Sequence, residues 1–203
     1  MPKVVDHEAR RWQICEAAAR LIAEGGLEAA TIREIAQASG HSKGVVEHYF
    51  DGKGELISGA LDWANRCYEQ RVQRATRGLS GMSCLEKQVQ AILPLDKSVR
   101  DEWKVRLVFW SMAAIDDRLR KRQEARFEAA VEHFQRSIEQ AVAAGELADD
   151  ADLPLLARRM LNVTAGISIA ALHNRRLYTR RFLLAESDSL LAQLRREAAV
   201  SEQ

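Results

Sequence analysis

Apolar residues recur at helical spacing along almost the whole chain. From Glu8 to about Ala23, Trp12, Ala18, Leu21 and Ile22 share a face, and Gly25-Gly26 stops the run. Thr31 then reads as an N-cap, with Glu34 three residues on completing a capping box. Ile32, Ile35 and Ala36 form the apolar side of that short helix, and Gly40 ends it. Glycine suits that position because it enters the left-handed region without a steric cost. Ser42 starts a second short helix with Val45, Val46, Tyr49 and Phe50 on its apolar side. After a turn at Asp51-Gly52, Lys53 opens a long helix to about Thr76, with its stripe at Leu56, Ile57, Ala60, Leu61, Ala64, Cys67 and Tyr68.

The second half continues in helices. Gly78, Ser80 and Gly81 mark a break. Helices follow over roughly Ser83 to Ile92, ended by Pro94, and Val99 to Ile115, which carries Trp103, Phe109 and Trp110. Asp116-Asp117 caps the next, which runs to about Ala144 and stops at Gly145. Asp149, Asp150 and Asp152 read as an acidic connector, and residues 1–7 as a loose arm. A helix from about Leu153 to His173 is apolar nearly all round, so it must be covered on more than one side. A last helix from about Thr179 to Ala199 bears Phe182, Leu183, Leu190, Leu191 and Leu194.

The pattern therefore predicts an all-α protein of about nine helices. Residues 31–53 have the layout of a helix-turn-helix: small Ala36 where the helices cross, Gly40 in the turn, and Val46 as the apolar anchor under the second helix. With the first helix as support, three helices make a minimal DNA-binding domain.

Composition agrees with this picture and sharpens it little. Of 203 residues, 47% are hydrophobic and only three are Pro, which favours helices. The net charge of +1 does not announce a nucleic-acid partner. Residues 1–60 hold seven Lys/Arg against nine Asp/Glu, so DNA binding must rest on local charge from Arg10, Arg11, Lys43 and Lys53. Cys15, Cys67 and Cys84 lack C-x-x-C spacing, which points to idle thiols in a reducing cytoplasm rather than a disulfide framework or a metal site. The start has no apolar stretch of the signal-peptide kind, and no apolar run is read as a membrane span. There is no G-x-S-x-G, no Gly-rich phosphate loop and no H-E-x-x-H, so no catalytic residue, metal site or cofactor is nominated.

The wording of residues 31–56 resembles the DNA-binding domain of the TetR family of transcriptional regulators. The matching residues are Thr31, Ile35-Ala36, Gly40, Ser42, Gly44, His48-Tyr49-Phe50, Lys53 and Leu56. His41 and Glu47 depart from the family pattern, so no operator sequence carries over. The resemblance implies a helix-turn-helix domain over residues 1–52 and a ligand-binding and dimerisation domain over 53–203. It implies that His41, Lys43, Val45 and Glu47 face bases. Glutamate would accept from cytosine N4 and valine would touch a thymine methyl. Thr31, Ser42, His48, Tyr49 and Lys53 would hold phosphates, which fix register without reading sequence. Farther on, Arg106-Leu107-Val108-Phe109-Trp110, Thr164-Ala165-Gly166-Ile167 and Ala170-Ala171-Leu172 look like the branch containing the choline-responsive betaine regulator.

The resemblance also implies a small-molecule pocket among the middle helices. Candidate lining residues are Trp63, Tyr68, Trp103, Phe109, Trp110, Phe127, Phe134, Asn162 and His173. Clustered tryptophans can hold a cation, so quaternary amines are the first effectors to screen. The apolar helix 153–173 predicts a homodimer through the last two helices, with Leu156, Met160, Val163, Ile167, Leu172, Phe182 and Leu190 at the interface. Three functions compete on sequence grounds: a ligand-released homodimeric repressor of a palindromic operator, a ligand-binding helical protein with a vestigial helix-turn-helix, and a helical scaffold.

Overall fold

The structure is a computed structural model that describes residues 6–148 and 152–197. Among the described residues it holds nine helices and no strand. The expected acidic residues Asp149 and Asp150, most of the N-terminal arm and the expected end at Ala199 lie outside them.

Helix α1 (His7–Ala29) is capped by Asp6, whose carboxylate accepts from the Ala9 N–H at 3.0 Å. Gly26 breaks it with a φ of 74°, and one further helical turn carries the chain on to Ala29. Helix α2 (Ile32–Ser39) begins where Thr31 Oγ1 accepts from the Glu34 N–H at 3.2 Å. It ends at Gly40, left-handed at φ 72°. There the Gly40 N–H donates to Gln37 O and the His41 N–H to Ala36 O, a paired C-cap that satisfies two end carbonyls. Helix α3 (Lys43–Tyr49) is capped by Ser42 Oγ, 3.3 Å from the Val45 N. Helix α4 (Gly52–Ala75) follows almost at once, and Glu55 reaches back to the Asp51 N–H at 2.7 Å.

These four helices share one core. Ile14, Cys15, Ala18 and Ile22 of α1 pack with Ile35 and Ala36 of α2, Val46 of α3, Phe50, and Leu56, Ile57, Ala60 and Ala64 of α4. Burial pushes the Cys15 thiol up to about 12, as an idle interior cysteine requires. Val105 of a later helix also enters this core.

The second core is built by α5 (Gly81–Ile92), α6 (Lys97–Ala113), α7 (Asp117–Ala143), α8 (Leu153–His173) and α9 (Arg180–Glu197). Asp96, Asp116 and Asp152 cap α6, α7 and α8 through their carboxylates. Phe109, Phe134, Leu85 and Ile138 are fully buried here or at the seam with α4.

Helix α8 has the length and apolar composition of a membrane span, which corrects the sequence reading. Its inner residues serve packing within the fold, with Leu156, Ala157, Met160 and Leu161 in the core. The hydroxyls of Thr164 and Ser168 donate back to Met160 O and Thr164 O, so the buried face carries no orphan hydroxyl. Leu156, Met160 and Leu190, expected at a dimer face, are instead buried within the single chain. Phe182, Ile167 and Leu172 are half-buried, whereas Val163 stays open, as does Leu155 two turns earlier.

Candidate DNA-reading surface and ligand cavity

The two caps and the left-handed glycine fix α3 at the surface of the N-terminal unit. Val46 and Phe50 are its anchors into the core. Lys43, Gly44, Glu47 and His48 face outward, and Val45 and Tyr49 are half-buried beside them. Lys43 Nζ lies 3.2 Å from Glu47 Oε1 one turn on, so the two side chains nominated for bases mask each other's charge.

The flanking nominees close around this face. His41 Nε2 pairs with Gln13 Oε1 at 3.3 Å, and His7 Nδ1 with the Tyr49 hydroxyl at 2.7 Å, tying α1 to both ends of α3. His48 stacks edge-on against Tyr49. Lys53 Nζ, in the first turn of α4, is 3.8 Å from the carboxylate of exposed Glu28, a loose contact that a phosphate can replace. Thr31, Ser42 and Lys53 thus sit at three helix N-termini, where backbone N–H groups favour anions.

Gly44 is the surprise on this face. It is helical and exposed, and a Cβ built on it meets no atom within 4 Å. Among the described residues no contact explains a residue that weakens a helix relative to alanine.

A cavity of about 410 Å³ lies among α4, α6, α7 and α8. Tyr68, Trp103, Trp110 and Phe127 line it, as nominated from the sequence. Five other nominees do not. Trp63 packs on the N-terminal core, and Phe109 and Phe134 are filled in on all sides. Asn162 and His173 point outward from α8, one position off the Leu161 and Ala165 face that meets the cavity. His173 instead meets Ile169 O at 2.8 Å.

Polar lining residues went unnominated, among them Asn65 and Glu69 from α4, Arg106 from α6, and Arg126 and His133 from α7. Arg106 shares the stripe of Trp103 and Trp110, and an arginine inside an apolar stripe was a sequence signal for it, beside its place in the Arg106–Trp110 stretch of the branch resemblance. Its guanidinium donates to Ala64 O at 3.1 Å and lies over the rings of Tyr68 and Trp103. Arg126 pairs with Asp62 of α4.

An exposed helix-turn-helix, joined by one long helix to a helical unit around a cavity, defines the architecture of a one-component transcriptional regulator. The profile of bacterial regulatory proteins of the tetR family matches residues 14–60. The profile of the C-terminal part of BetI-type transcriptional repressors matches residues 83–196. The chain belongs to the TetR family of transcriptional regulators, in its BetI-like branch.

The chain is 34% identical over 114 residues to the HTH-type transcriptional regulator PksA of Bacillus subtilis, spanning 56% of each protein. It is 27% identical over 151 residues to the HTH-type regulator BetI of Vibrio parahaemolyticus, covering 71% of this chain and 74% of that one. Its fold is similar to that of a protein from Saccharomonospora viridis assigned as a transcriptional regulator and solved in complex with choline. The TM-score is 0.81 at 24% identity, over 91% of this chain and 96% of the other.

Proposed function

We propose that this chain is a homodimeric repressor that binds a palindromic operator through residues 31–53 and releases it when a small molecule fills the cavity. The observation that carries the reading is the continuity of α4. Its first turns share the core of α2 and α3, and Asn65, Tyr68, Val72 and Gln73 farther along it line the cavity. One rigid element therefore touches both the DNA-reading unit and the ligand space.

A dimer is supported by the outer side of α8, where Leu155 and Val163 are 44% and 43% exposed next to open Gly166. Two-fold symmetry would set two α3 helices about 34–36 Å apart, one per turn of DNA. Repressor and operator would meet in the cytoplasm. The choline of the Saccharomonospora neighbour makes a quaternary amine the reference effector.

Selection of bound sequences from random duplex DNA, followed by fluorescence anisotropy and sedimentation, tests this. The expected result is a two-fold symmetric site bound by a dimer. Recovery of no site above non-specific DNA would leave a ligand-binding helical protein instead.

A further inference from the structure

Two arginines reach the cavity through its apolar walls, and each shares its carboxylate with a second arginine. Glu102, 1% exposed, is gripped by both Nη atoms of Arg71 at 2.7 Å and stands 3.6 Å from Arg106. Asp62 is likewise shared between Arg122 and Arg126. Exposed Glu69 also stands at the cavity wall. Arg71 and Arg122 lie off the cavity, so of these four guanidiniums it is Arg106 and Arg126 that border it. Burial pushes the pKa of both downward, the mark of a cation that wants an anion.

Both arginines are anchored to one turn of α4: Arg126 to Asp62 and Arg106 to Ala64 O. Asn65 is in that same turn. Three buried donors of cavity residues find no partner: Asn65 Nδ2, Arg126 Nη1 and His133 Nε2. Arg136 donates to His133 Nδ1 at 3.2 Å, and burial pushes the imidazole pKa down, so the neutral ring carries its proton on Nε2. Unpaired buried donors call for an acceptor. A cation is disfavoured for a second reason. The Arg106 guanidinium already lies over one face of Tyr68 and one of Trp103, 5.5 and 5.4 Å from the ring centroids, and repels a second cation there.

We infer that the cavity takes a small amphipathic carboxylate, with its apolar body against Trp110, Phe127 and Leu161 and its carboxylate toward Arg106, Arg126, Asn65 and His133. This rests on the cavity being the effector site. Its volume, about 410 Å³, lies in the ordinary range of ~300–1,000 Å³ for small-molecule pockets.

Calorimetry and tryptophan fluorescence on the intact protein test it with hexanoate and phenylacetate, their primary amides, and choline. At least one carboxylate should bind about tenfold or more tightly than its amide. Arg126→Gln should remove that preference, weakening the carboxylate much more than its amide, and Arg126→Lys should restore part of it. Should Arg126→Gln misfold by circular dichroism, Asn65→Leu serves, since it deletes an unpartnered donor and should also weaken the carboxylate selectively. Equal affinity for carboxylate and amide, tighter binding of choline, or no carboxylate binding up to about 10 mM overturns the inference. Operator release separates it from the broader reading. A carboxylate that binds as expected but leaves operator affinity unchanged sinks the switch and upholds the ligand class. Choline that releases the operator sinks the ligand class and upholds the switch.

Discussion

Gly44→Ala separates folding from DNA reading more cleanly than any other single change. Gly44 is the second residue of α3, is exposed, and has open space where a Cβ would stand. Alanine at an interior helix position is favoured over glycine by about 0.8–1 kcal/mol. Within the first turn the gain should be roughly half, about 0.5 kcal/mol. The variant should therefore be more stable than the parent, by about 1–2 °C in thermal midpoint for a chain of this size. Operator affinity should move the other way. If α3 lies in the major groove by the face bearing Lys43, Gly44 and Glu47, an added methyl displaces the helix from the DNA. A misfit of that kind in a close-packed contact costs about 1–3 kcal/mol, or roughly a 5- to 150-fold loss. Differential scanning calorimetry reads the first effect. Fluorescence anisotropy on a selected operator at fixed salt reads the second. A variant that is stabilised and binds the operator as tightly as the parent would refute docking by this face. A variant that is destabilised would show that the glycine answers an internal constraint, contrary to the open space around it.

Four further outcomes are expected. Glu102→Ala leaves Arg71 and Arg106 without their shared buried carboxylate, and should destabilise the fold by about 3–5 kcal/mol in urea denaturation. Lys53→Ala should weaken binding to all duplexes alike and lower the salt slope of log K by about one unit, its loose contact with Glu28 being no obstacle to phosphate binding. Glu47→Ala should do the opposite on non-specific DNA, strengthening it by unmasking Lys43, while relaxing preference at one base pair by about 1–3 kcal/mol; unchanged specificity in a mismatch series counts against a base contact. Val163→Glu puts a charge on the open side of α8, and should give a monomer by sedimentation velocity that no longer holds a two-fold operator; a dimer of undiminished strength places the interface elsewhere.

The helix-turn-helix was legible because its determinants are local. Thr31 and Ser42 cap the helices they precede, and Gly40 occupies the left-handed position that its place in the turn demands. Such signals act over three or four residues, so they survive without tertiary context. The limits of α4 to α7 were read within a few residues and α8 from end to end, whereas α1 runs past its expected stop at Gly25-Gly26 to Ala29.

The cavity was half legible. Aromatic residues on α6 and α7 announce a packed interior, but not which of them border empty space. Phe109 and Phe134 fill the core, whereas Trp110 and Phe127, in the same two helices, border the void. That distinction depends on how α4, α7 and α8 splay, which no single helix encodes. Arg106 and Arg126 were missed because charge in an amphipathic helix normally marks the wet side. Here each is drawn inward by a carboxylate or carbonyl on another helix. The all-round apolarity of α8 gave the converse error. It reads as a broad interface, yet Leu156 and Met160 satisfy it within the chain and leave a narrower open face.

Release of the operator by a ligand, as proposed, would have a definite physical requirement. Helix α4 has 24 residues, about 36 Å at 1.5 Å per residue, so a tilt of about 5° at its cavity end moves the far end by ~3 Å. That is enough to spoil a spacing of about 34–36 Å between paired recognition helices. Filling the cavity produces such a tilt only if the ligand binds the tilted arrangement more tightly; a hundredfold release of DNA requires a difference of about 2.7 kcal/mol. Arg106 stands where that difference can arise. Its guanidinium faces the cavity and holds Ala64 O of α4, while its neighbour Val105 is buried in the core that supports α2 and α3. An anion that draws this guanidinium inward acts on the hydrogen bond to α4 and on the packing of α6 against the N-terminal unit in one movement. The same ledger runs backward, so operator DNA must weaken the binding of that anion by the factor with which the anion weakens DNA.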